Sequence, residues 1–118
     1  QMKKMFLVGV ALLVFSGGAH AFLWSAAVPV EIHIVPHGLV LVGDFDNTGV
    51  TCATGPKAIF LPKSDPNFRE KLKLALNAKA AGKKIKVLIN DPIASNCIEI
   101  SAMGHVPIAY YYYWQLKD

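Results

Sequence analysis

Apolar and charged positions alternate along Val30-Glu31-Ile32-His33-Ile34-Val35, the period of a strand with one buried face. Pro36-His37-Gly38 signals a turn. Leu39–Val42 is a second, wholly apolar strand, ending in the turn-forming run Gly43–Gly49. A third strand is spread over Val50–Ala53 and Lys57–Leu61, interrupted at Gly55-Pro56. The period then changes. Ser64 or Asp65 can cap a helix, Pro66 suits its first turn, and Gly82 stops it after Lys79. Phe68, Leu72, Ala75 and Leu76 form one buried stripe. Leu74, Ala78 and Ala81 lie off that stripe by more than a quarter turn. They are either an oligomer interface or the side of a wide face buried in a single core. Strands follow at Ile85–Ile89 and Cys97–Ile100, with a turn at Asn90-Asp91-Pro92 and a bend over Met103–Pro107. The β-prone run Ile108–Trp114 closes the chain. This order predicts a mainly β domain with one helix: an OB-fold-like Greek-key barrel of five or six strands, the helix between strands three and four.

The N-terminus has a different character. Lys3 and Lys4 precede the apolar run Met5–Phe15, Ser16-Gly17-Gly18 breaks it, and Ala19-His20-Ala21 has the small-x-small form of a cleavage site. The run is too short for a membrane span, which needs about 20 apolar residues. Residues 1–21 are therefore read as a secretory signal peptide and residues 22–118 as one binding domain. The exported molecule is secreted or periplasmic. Its 97 residues are near the small end of what builds its own core. Lys3 and Lys4 leave while all eight acids stay, so the net charge falls from +4 to +2. Lys83, Lys84 and Lys86 are the only basic cluster in the mature chain, too little for a nucleic-acid partner.

Export also bears on the two cysteines. In an oxidising compartment an even count points to a disulfide between Cys52 and Cys97. Two buried thiols or a metal pair are the alternatives, and no further ligands are spaced for a metal.

Three groups of residues invite a chemical reading. Leu39–Val42 followed by Asp44-x-Asp46-x-Thr48 has the form of a phosphatase nucleophile motif, but that chemistry needs a larger doubly wound domain. The same run starts like a calcium loop and has Gly55 where the twelfth-position Glu belongs. A hairpin loop is the reading adopted. His33, His37 and His105 lack an acid-base-nucleophile arrangement and are read as solvated or hydrogen-bonded side chains. Nothing here indicates an enzyme, and no cofactor or metal is expected. Tyr110–Tyr113 with Trp114 is different, because alternate rings of a strand face opposite sides and cannot all be core. Tyr111 and Tyr113 are the candidate contacts, suited to sugar stacking or a subunit interface.

Ser25, the strand VEIHIV, Cys52-Ala53, Phe60 and PNFREKLKLALNAKAAGKKIKVLI together resemble the B-subunit family of subtilase cytotoxin and typhoid toxin, from about Trp24 to Ile89. The resemblance implies an OB-fold that forms ring-shaped homopentamers, binds sialylated cell-surface glycans and carries a separate catalytic A subunit. It also implies that Ser25, ahead of the first strand and beside Trp24, contacts the sugar. One feature departs from the pattern: the toxin members bridge strands two and three, whereas strand two here has no cysteine and leaves Cys52 to pair with Cys97. A secreted glycan-binding module is thus the leading expectation. A periplasmic or envelope protein-interaction or inhibitor protein on the same barrel, without a sugar site, is the alternative.

Overall fold

The computed structural model describes residues 22–46, 49–90 and 97–117. The signal-peptide reading, Thr48 and the Asp91-Pro92 turn lie outside the described residues. The elements are β1 (Phe22–Ala27), β2 (Glu31–Val35), β3 (Gly38–Val42), β4 (Ala58–Pro62), α1 (Phe68–Ala81), β5 (Lys84–Asn90), β6 (Cys97–Ile100), β7 (Gly104–Pro107) and β8 (Trp114–Lys117). They form three small antiparallel sheets, ordered β1-β5-β8, β2-β3-β4 and β6-β7, not closed into a barrel. Pro29 separates the first two sheets. It sits between β1 and β2 and has no N–H to continue a ladder. Val30 then resumes pairing by donating its N–H to the Val42 carbonyl.

Strands β3 and β4 are buried on both faces, which explains their unbroken apolar runs, while β2 at the edge stays largely exposed. Leu39, Leu41, Ile59 and Leu61 enter a main core with Phe45, Ala75, Ala78, Ile85, Val87 and Ile89. Val40, Ala58 and Phe60 face the other way, into a second cluster with Ile100 and Val106. The β6-β7 hairpin covers that second cluster. It is held by a Cys52–Cys97 disulfide and by the N–H groups of Thr54 and Gly55, both donated to the His105 carbonyl. A Cβ on Gly55 would stand 2.1 Å from the Met103 carbonyl oxygen, so only glycine permits this approach.

Several boundaries differ from the sequence expectation. Val50–Ala53 is a turn rather than part of a strand, while Met103–Pro107, expected as a bend, supplies β7. The largest change is at Tyr110–Tyr113: Tyr111 and Tyr112 form a turn, and β8 begins only at Trp114. Propensity favours a strand there, but Ala109 donates its N–H to Phe60 and Tyr110 to Leu88, carrying the chain from one sheet to another.

Helix α1 starts later than Ser64 or Asp65 would suggest. Asn67 is at its N-cap position without a side-chain cap, and the Asp65 carboxylate accepts the Asn67 N–H from outside the helix. Gly82 ends it in the left-handed conformation, φ 67°. The buried face is also rotated. Lys71, Ala75 and Ala78 are buried, Phe68, Leu72 and Leu74 pack beside them, and Leu76, placed in the stripe by its spacing, is half exposed. The polar letter at Lys71 hid the centre of that face. Its ammonium donates to Asp65 Oδ2 at 2.6 Å and to the Tyr111 carbonyl at 2.7 Å, so a charge can sit among apolar neighbours with a carboxylate and a carbonyl to receive its protons.

Candidate functional site

β1, β5 and β8 lie side by side, with Trp24 opposite Leu88, Ala26 opposite Lys86, and Lys86 opposite Gln115. The pleat divides their side chains between two faces. Leu23, Ala27, Ile85, Val87, Ile89, Trp114 and Leu116 pack on the main core. The alternate positions Phe22, Trp24, Lys86 and Leu88 are left for the outer face. Above Leu88 the tyrosine turn folds over, and Phe22, Trp24, Leu88, Tyr110, Tyr111 and Tyr112 line an open hollow of about 460 Å³. Exposure is high for a small protein: Trp24 48%, Phe22 50%, Tyr111 59% and Tyr112 75%.

The rings brace one another. Trp24 meets Tyr113 edge to face at 4.6 Å, Tyr110 lies 4.9 Å from Tyr111, and Phe22 lies 6.0 Å from Tyr110. The Lys86 ammonium is 4.7 Å from the centre of the Trp24 ring. Polar tips are also fixed, since the Tyr113 hydroxyl donates to Gln115 Oε1 at 2.6 Å. Loss of surrounding water, then the neighbouring phenols of Tyr111 and Tyr112, hold the Tyr110 phenol above its ordinary value. The turn is tied to the core from below. Lys71 holds the Tyr111 carbonyl, and Trp114 Nε1 donates to the Lys71 carbonyl at 3.0 Å. The hollow is therefore preorganised and amphipathic.

The structure brings together Trp24, Tyr111 and Tyr113 among the expected site residues. It does not bring Ser25 to them. Ser25 is 3% exposed on the opposite face of β1, and its hydroxyl accepts the Asp46 N–H at 2.8 Å. We expect Ser25→Ala to cost about 0.5–1.5 kcal/mol in a urea melt, by leaving that N–H without its acceptor, and to leave any ligand affinity intact. A selective loss of binding in a fully stable Ser25→Ala variant would return the residue to the site. The helix residues offered as an interface also divide: Ala78 is fully buried and Leu74 packs on the core of its own domain, so of the three only Ala81 is exposed.

Phe22, Lys86, Leu88, Tyr110 and Tyr112 were not expected as site residues from sequence. The signal for Lys86 and Leu88 was the alternation of Lys84-x-Lys86-x-Leu88 against Ile85, Val87 and Ile89. Elsewhere, Asp44 accepts a hydrogen bond from exposed Lys57 at 3.0 Å and His33 pairs with Glu31 at 2.8 Å. His105 Nδ1 lies 3.3 Å from the Thr54 hydroxyl. Among the described residues no group of three His, Cys, Asp or Glu side chains is placed to hold a metal ion. No helix among them is long and apolar enough to cross a membrane. Comparisons of the chain with protein-family models, with curated proteins and with solved structures find no match.

Proposed function

We propose that this chain is an exported carbohydrate-binding module whose sugar site is the aromatic hollow on the outer face of the β1-β5-β8 sheet. The observation that carries the reading is a braced cluster of exposed Trp, Phe and Tyr rings around about 460 Å³ of open space. Sugars present apolar C–H faces that stack on rings and hydroxyls that pair with phenolic tips. Trp24→Ala and Tyr112→Ala should each weaken glycan binding about tenfold, the worth of a well-placed ring, while circular dichroism and the melting curve stay close to the parent. A glycan array followed by calorimetry with both variants tests this. Unchanged affinity in both removes the hollow as the sugar site.

The fold behind this reading is an OB-like Greek key. Its support is the succession of neighbours β1 beside β5, β5 beside β8, β2 beside β3 and β3 beside β4, with a parallel bridge from Phe60 to Ile108 on the way to β8. The resemblance to toxin B subunits adds a homopentamer, a sialylated ligand and a separate catalytic subunit. Light scattering that returns a monomer removes the ring.

A second reading, an envelope protein-interaction or inhibitor protein, is favoured by β2. Among the described residues this strand pairs only with β3, and Val30 and Ile34 beside its other edge are 58% and 70% exposed. Such an edge can accept a strand from a partner.

A further inference from the structure

All three lysines of the β1-β5-β8 sheet belong to its outer face. Lys84 is directly opposite Lys117, and Lys86 follows two places along β5 on the same side. Neither aspartate nor glutamate occurs in Phe22–Ala27, Lys84–Asn90 or Trp114–Lys117. Like charges placed opposite one another in a ladder oppose folding, so this row is relieved when a dense negative surface lies against it. The other end of the same face carries Phe22, Trp24, Tyr111 and Tyr112, all exposed.

We propose that this face docks onto an anionic phospholipid bilayer, with the rings at headgroup depth and the lysine row over the lipid phosphates. Charge selects this occupant over a second copy of the chain, which would set three lysines against three. The rings have the chemistry of the membrane boundary: Trp and Tyr settle where one end is apolar and the other wet, and Phe22 with Leu88 supplies hydrocarbon beneath them. Successive nucleic-acid bases need free ring faces in a row. Here the rings are turned against each other, at 85° for Trp24 with Tyr113 and 84° for Tyr111 with Tyr112, and one face of Trp24 carries Lys86. The proposal uses the same face as the sugar reading but rests on charge and ring placement alone.

Vesicle flotation tests it with the full exported chain and sugar-free lipids. The protein should float with phosphatidylcholine vesicles containing 30% phosphatidylglycerol and stay behind with pure phosphatidylcholine. Raising sodium chloride from 0.1 to 0.5 M should release it. In Lys84→Gln/Lys86→Gln/Lys117→Gln, partition should fall about fivefold per lysine, on the order of a hundredfold together, with an unchanged circular dichroism spectrum. No partition to the anionic vesicles, equal partition to both, or a triple variant that floats like the parent overturns the proposal. So does a single-stranded oligonucleotide that strips the protein from vesicles at micromolar concentration. If glycan binding fails while flotation holds, only the sugar reading falls; the reverse result removes only the bilayer.

Discussion

Lys71→Met should lower the free energy of unfolding by about 3–5 kcal/mol, the cost of leaving a buried carboxylate without its partner. Asp65 and Lys71 are both buried, and Asp65 also accepts the Asn67 N–H just ahead of the helix. Against a total of about 5–15 kcal/mol for a domain of this size, the loss approaches unfolding. The same substitution frees the Tyr111 carbonyl, so the tyrosine turn should lose order and the near-ultraviolet dichroism of its rings should weaken. The double variant Asp65→Leu/Lys71→Met should be less unstable than the single, because no charge is then stranded. Urea melts of the three proteins check this. A Lys71→Met variant within about 1 kcal/mol of the parent would mean that water reaches the pair and that the turn does not depend on it.

Cys52→Ser/Cys97→Ser should be the second most damaging change. The bond closes a segment with a sequence separation of 45, which in the chain-entropy model stabilises by up to about 4 kcal/mol. For a chain of this length that corresponds to a melting point lower by on the order of 15 °C. The loss should be local before it is global. The β6-β7 hairpin covers the second cluster with few partners of its own, so its amides should exchange first while β3 and β4 stay protected. Calorimetry and hydrogen exchange on the double variant read both effects. An unchanged melting point would show that the Ile100 and Val106 contacts and the Thr54 and Gly55 hydrogen bonds hold the hairpin without the disulfide.

These two devices also show where sequence reading stops. Alternation in Val30–Val35, the solid apolar run of β3 and the Gly82 stop each report a local energy, and β2, β3 and the helix end came out where those patterns put them. The disulfide was legible because two cysteines in a chain expected to be exported have each other as partner. The tyrosine run was legible as surplus aromatic surface, but not as a turn. Its geometry depends on Phe60 and Leu88, which accept the N–H groups of Ala109 and Tyr110 from far away in sequence.

The linear chain by itself determined the mainly β character, the one helix among the described residues and the presence of more aromatic side chains than one small core can bury. Those follow from the chemistry of neighbouring residues. Tertiary structure decided which side each residue serves: Ser25 inward, Trp24 outward, Ala78 in the core, Lys71 buried beneath the tyrosines. The physical reason is that a strand or helix reports only its own period. Which of its faces meets water, and whether a lysine finds a carboxylate six residues away and a carbonyl forty residues away, is set by how the elements pack.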